Sequence, residues 1–129
     1  MIIPKHIQIE PVNGLCTARC TMCDIDSWTR KPYRMPLQMF TSILERFKPY
    51  QGQIDFLSLQ GWGETLMDRM IAPKIMTAKD AGFKSIGFAT NCTDLYPKTS
   101  FELLEAGLDA IICSIDGIKH QTHESIRVG

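Results

Sequence analysis

Short apolar runs alternate with amphipathic stretches along nearly the whole chain, and this alternation constrains the fold more than any other feature of the sequence. Residues 6–12 (HIQIEPV) read as a first strand ending at Asn13-Gly14. Residues 37–48 read as a helix with Leu37, Phe40, Ile43, Leu44 and Phe47 on one face; Pro36 suits its first turn and Pro49 stops it. Residues 54–60 (IDFLSLQ) read as a second strand, 71–81 as a helix kinked or started by Pro73 and stopped by Gly82, and 85–90 as a third strand. Thr99 and Glu102 suggest a capping box for a third helix that Gly107 ends. Residues 110–115 (AIICSI) form a fourth expected strand, and 120–127 begin a fourth helix. Apolar strands separated by helices predict a parallel sheet covered by helices.

The residues that break this rhythm sit just after each strand. Cysteines follow the first, Gly61-Trp62-Gly63-Glu64 the second, Asn91 the third, and Asp116-Gly117 the fourth. In parallel α/β folds the C-terminal strand ends open onto one rim, where ligands bind. One shared site is therefore expected.

Three of the five cysteines fall in one segment, Cys16-x3-Cys20-x2-Cys23. Such a short loop can wrap an iron–sulfur cubane, with each thiolate on a different iron. Most 4Fe-4S clusters take four cysteines, so a triplet leaves one iron open to a small molecule. A zinc site usually draws on two separated pairs, and no histidine lies near to complete this one. Inert buried thiols are the third alternative, against which stands the polar character of the loop. Cys92 and Cys113 are read as structural; Cys113 is expected to face the helices if Ser114 faces the site.

The 14 basic and 14 acidic residues balance, which removes any broad electrostatic footprint for nucleic acid or an anionic membrane. No apolar run approaches the roughly 20 residues that span a bilayer. The first residues lack the apolar core of a signal peptide, so a cytoplasmic protein is expected. An odd cysteine count without an export signal argues against a disulfide framework.

Taken together, GLCTARCTMC (14–23), QGWGETL (60–66), ATNC (89–92) and SIDG (114–117) with ESIRVG (124–129) resemble, in order, motifs of the radical S-adenosylmethionine (SAM) superfamily. RMPLQMF (34–40) and the last two motifs resemble the branch that often carries a C-terminal SPASM domain. The resemblance implies an α/β partial TIM-type barrel of six βα units. About four are present in residues 1–129, read as one incomplete core domain whose activity alone is expected to be weak. It implies a 4Fe-4S cluster on Cys16, Cys20 and Cys23, and SAM chelated by the fourth iron. Reductive cleavage then yields a 5′-deoxyadenosyl radical that takes hydrogen from a substrate, a peptide or protein in this branch. The reductant is expected to be a flavodoxin or ferredoxin.

The same resemblance assigns further roles. Gly63 and Glu64 meet the SAM amino group, Ser114 and Arg127 its carboxylate, and the backbone of Met22 the adenine edge. Asn91 or Asp116 contacts the ribose or lines the substrate side, although Asp116-Gly117 also suits a plain turn. Three departures from the family pattern carry expectations. Thr65 in place of proline predicts a looser amine loop. Met22 stands where an aromatic is common. Cys92 in place of glycine predicts a turn without a positive φ. Trp28 and Trp62 are read either as bordering the substrate or as covering the sheet edge. A non-catalytic iron–sulfur or SAM-binding fragment and a structural zinc module are the competing functional readings.

Overall fold

The apolar runs become the strands of one parallel sheet in the computed structural model of the chain, which describes residues 2–128. In chain order the elements are β1 (His6–Gln8), β2 (Val12–Asn13), β3 (Arg19–Cys20), β4 (Tyr33–Arg34), α1 (Leu37–Phe47), β5 (Phe56–Ser58), α2 (Ile71–Asp80), β6 (Ile86–Thr90), α3 (Pro97–Glu105), β7 (Ala110–Cys113), α4 (His120–Ile126) and β8 (Arg127–Val128). The main sheet has the order β1-β5-β6-β7, all parallel. Two short antiparallel ribbons, β2–β4 and β3–β8, lie outside it. Both involve the segment around the cysteines.

The α1 stripe packs as its spacing predicts. Phe40 and Leu44 are buried, and Leu37, Ile43 and Phe47 pack on the same cluster. From α2, Ile71, Ile75 and Ala78 meet Leu57, Leu59, Ile86 and Phe88 of the sheet. Pro73 lies in the first turn of α2, so it starts the helix without kinking it. Gly82 and Gly107 follow α2 and α3 with φ of +91° and +89°.

Several expected boundaries shift. The first run splits: β1 ends at Gln8, and Val12 and Asn13 leave the sheet to pair with Arg34 and Tyr33. The capping box at Thr99 does not form, because α3 begins at Pro97 with Tyr96 as its N-cap, which places Thr99 inside the helix. Proline at the first helical position sets the start instead. Helix α4 stops at Ile126, since Arg127 and Val128 pair with Cys20 and Arg19.

One buried group escapes the pattern altogether. Lys74, on the inner face of α2, is fully buried, ion-paired with Asp68, and donates to the Met35 carbonyl at 2.5 Å. Asp68 also accepts the Met70 N–H at 2.9 Å. This pair ties the entry of α1 to the entry of α2, and both lead away from the strand-end rim. Among the described residues no helix is long and apolar enough to cross a membrane.

Candidate metal and cofactor site

A cavity of about 410 Å³ opens at the C-terminal ends of the main strands. It is lined by Cys16, Cys20 and Cys23, by Gly63 and Glu64, by Asn91, Ser114 and Arg127, and by the exposed Met22. Nine of the ten residues expected from sequence at the site thus share one cavity. The tenth, Asp116, is not in its lining but holds Arg127, which is.

The cysteine loop is docked at both ends. Gly14 N–H donates to the Trp62 carbonyl at 2.8 Å, and Glu64 N–H to the Leu15 carbonyl at 2.8 Å. At the other end Cys20 pairs with Arg127 across β3–β8, and Thr21 N–H donates to Ile126 at 2.9 Å. Cys16 Sγ accepts from the Ala18 N–H at 3.4 Å and from Asn91 Nδ2 at 3.6 Å. Burial pushes the Cys16 thiol above its ordinary 9.0; the Ala18 N–H opposes this, whereas the nearby Glu64 carboxylate and Cys20 add to it. Cys16 and Cys20 are half-buried, and Cys23 is exposed.

Among the described residues no three His, Cys, Asp or Glu side chains converge closely enough to hold a single metal ion. A tetrahedral zinc ion needs all its ligands on one centre. A cubane takes each thiolate on a separate iron, and the three cysteines that line one cavity offer that donor set, one ligand short of a tetrahedral zinc site.

Glu64 is 4% exposed. Its Oε1 accepts from Leu66 N–H at 3.1 Å and from the Thr90 hydroxyl at 2.6 Å, while Oε2 accepts from Asn91 N–H at 2.9 Å. All three donors are neutral, and Glu64 makes no ion pair among the described residues. The carboxylate is therefore held by hydrogen bonds alone, with no cationic side chain on it among the described residues. Gly63 is needed for a close approach of two loops. A Cβ there would fall 2.7 Å from the Val12 carbonyl oxygen and 3.0 Å from that of Leu15, so the glycine lets the Glu64 loop press against the cysteine loop.

The looser loop expected from Thr65 does not occur. Thr65 is buried, its hydroxyl donates to the Leu59 carbonyl at 2.9 Å, and the loop closes in a 3-10 turn capped by Glu64. The hydroxyl supplies a tether in place of the rigidity of proline. Cys92 also departs from expectation, with φ of +66°. Its N–H donates to Thr90 Oγ1 at 3.1 Å, so the turn keeps its left-handed shape without glycine.

Arg127 Nε is ion-paired with Asp116, and Nη1 donates to Cys20 Sγ at 3.5 Å. Asn91 Nδ2 donates to Thr17 Oγ1 at 2.9 Å, linking the end of β6 to the cysteine loop. Ser114 N–H donates to the Thr90 carbonyl at 2.8 Å, which continues the sheet to the cavity edge. Cys113 is exposed and not in the core, because β7 is the edge of the described sheet. Cys113 lies beside Cys92, whose thiol is pushed up to about 11 by burial and by the neighbouring Cys113 thiol. The two tryptophans stack on each other beside the cavity, with ring centroids 4.6 Å apart. Sequence spacing carried no sign of that pairing, since 34 positions separate Trp28 from Trp62.

A parallel sheet with three cysteines, a buried glutamate and an arginine at its strand ends defines an α/β cofactor-binding core. Residues 11–129 match the model of the radical SAM superfamily. The chain belongs to that superfamily, which implies a 4Fe-4S cluster and SAM. The tungsten-containing aldehyde ferredoxin oxidoreductase cofactor-modifying protein of Pyrococcus furiosus is 27% identical over 112 residues, covering 87% of this chain and 31% of that protein. The crystal structure of BtrN in complex with AdoMet and 2-DOIA superposes with a TM-score of 0.78 at 20% identity, over 93% of this chain and 49% of BtrN. An open conformation of BtrN gives 0.73 at 18% identity, over 87% and 50%. The chain therefore spans about a third of the curated relative and about half of the solved structures.

Proposed function

We propose that this chain forms the cluster- and SAM-binding part of a radical SAM enzyme, with Cys16, Cys20 and Cys23 holding three irons of a 4Fe-4S cluster. The observation that carries this reading is the charge layout of the cavity. A buried carboxylate without a cationic partner, Glu64, and a guanidinium, Arg127, beside the Cys20 thiol line the same cavity. An α-amino acid carries an ammonium, which suits Glu64, and a carboxylate, which suits the guanidinium N–H groups that Asp116 leaves open.

The residues then take the following parts. Glu64 accepts the SAM ammonium, with the Gly63 backbone beside it. Arg127 and Ser114 hold the SAM carboxylate; the guanidinium presents its remaining N–H groups there because Asp116 occupies Nε. Asp116 thereby orients Arg127, and Asn91 is the candidate for the ribose or the substrate side. Met22, exposed in the cavity lining, meets the adenine edge. A cluster held by Cys16, Cys20 and Cys23 would supply one-electron reductive cleavage of the bound SAM and so hydrogen-abstraction chemistry. The protein's own contribution is to hold the sulfonium ligand in one orientation and to exclude water.

The substrate class follows from branch resemblance and is a peptide or protein. The curated relative carries the name of a cofactor-modifying protein, which makes a small cofactor precursor the alternative to test. A flavodoxin or ferredoxin is the expected electron donor, and the cytoplasm the expected compartment. The test is anaerobic reconstitution with iron and sulfide, then addition of SAM and a strong reductant. Bound iron near four per chain is the expected result, with 5′-deoxyadenosine formed by a complete version of the protein, lost in its Cys20→Ala variant, and weak for residues 1–129 alone. Four irons without product from the complete version points to a non-catalytic binding fragment. Tightly held zinc points to a structural module.

A further inference from the structure

Four side chains that take no part in the proposed chemistry close a ring beside the cavity. The Trp28 and Trp62 indoles stack with an interplanar angle of 20°. The Arg30 guanidinium lies over the Trp28 ring, 4.6 Å from its centroid, and its Nη2 donates to Glu10 Oε2 at 2.9 Å. The other oxygen of Glu10 accepts the Trp62 backbone N–H at 2.6 Å. Trp28 is fixed from its far edge, since Nε1–H donates to Asn13 Oδ1 at 2.7 Å.

The ring joins three separate pieces of chain. Glu10 follows β1, Trp28 and Arg30 lie on the return leg of the cysteine loop, and Trp62 precedes Glu64 by two residues. Gly61 permits the closure, because a Cβ there would fall 2.3 Å from Glu10 Cγ. The Arg30–Glu10 pair is too exposed to hold the loop alone. Stacking and cation–π contacts add to it, and linked contacts reinforce one another. What the ring fixes is the distance from the exit of the third cysteine to the Glu64 loop.

We infer that Glu10, Trp28, Arg30 and Trp62 form a latch holding the cysteine loop against the Glu64 loop, and so act as positioning residues for cluster retention and SAM affinity. This inference rests on the radical SAM reading of the site. It differs from a substrate-wall role for Trp62, which would leave both quantities unchanged.

Three readouts test it in the intact protein: the far-UV exciton couplet of the stacked indoles, the rate of iron release to a chelator after reconstitution, and the SAM concentration that half-converts the EPR spectrum of the reduced cluster. Trp62→Leu is expected to lose the couplet, release iron faster, and need about tenfold more SAM. Trp62→Phe keeps a flat ring on Trp28 and is expected to restore retention and affinity to near the parent values. Glu10→Gln retains an acceptor for the Trp62 N–H but loses the charge, so an intermediate effect is expected. Should Trp62→Leu not fold, Arg30→Met, a change at a half-exposed side chain, carries the test and is expected to speed iron release. Parent-like iron release and SAM requirement in these variants would overturn the latch. So would the absence of a couplet in the unreconstituted parent. A parent that shows the couplet yet takes up no cluster would instead defeat the radical SAM reading.

Discussion

The β1-β5-β6 side of the molecule and the β7–α4–β8 side are built on different principles. In the first, α1 and α2 bury an apolar face on the sheet, and side chains such as Phe40, Ile75 and Leu57 have no exposed surface. In the second, all four residues of β7 are exposed and α4 buries none. β7 is attached by its ladder of four residue pairs with β6, and the segment beyond it by polar contacts to the cysteine loop: the two residue pairs of β3–β8 and the Arg127 contact with Cys20. The core side supplies stability and the Glu64 carboxylate, and the second side supplies the Arg127 guanidinium to the cavity. Damage to one should therefore appear in unfolding and damage to the other in ligand binding.

The sharpest way to break this contrast is at the buried pair. Lys74→Ala leaves Asp68 without its cation, and a loss of about 3–5 kcal/mol is expected in chemical denaturation. Phe40→Ala is expected to cost about 3–5 kcal/mol by cavity formation, whereas Ile112→Ala on β7 should stay within about 0.5 kcal/mol. Similar losses at Phe40 and Ile112 would erase the distinction between the two sides. Arg127→Lys keeps the charge but loses the fork and the Asp116 geometry. It should weaken SAM binding by about tenfold in a titration while shifting the unfolding midpoint little.

The smallest effect concerns Cys92. Its thiol is pushed from 9.0 to about 11, so the folded state binds this proton more tightly than the unfolded chain does. The associated stabilisation is complete below pH 9 and is lost as pH rises through about 11. Alkylation of Cys92 in the folded protein should correspondingly stay slow at pH 8 and accelerate above pH 10, and a rate already at its plateau at pH 8 would contradict the burial argument.

The sheet, its order of units and the helix stripes were legible because apolar periodicity records burial directly. Phe40 and Leu44 illustrate this: their spacing predicts a buried face, and packing delivers it. The strand-end cluster was legible for a different reason, since residues unsuited to strands or helices gathered at four turns. What periodicity could not register were contacts made by polar atoms across long separations. The Thr65 tether to Leu59, the left-handed turn at Cys92 and the Lys74–Asp68 pair each depend on one hydrogen-bond partner that no local pattern marks. Cys113 failed for another reason: strand alternation assigns a face but does not say whether anything covers it.

The account turns on a three-cysteine cluster whose remaining iron takes SAM. Low-temperature EPR of the anaerobically reconstituted, reduced protein, recorded before and after SAM is added, tests this most directly. A 4Fe-4S signal that changes shape with SAM, and changes less at equal SAM in Arg127→Lys, is the predicted result. A fully loaded cluster whose spectrum is indifferent to SAM would contradict the claim.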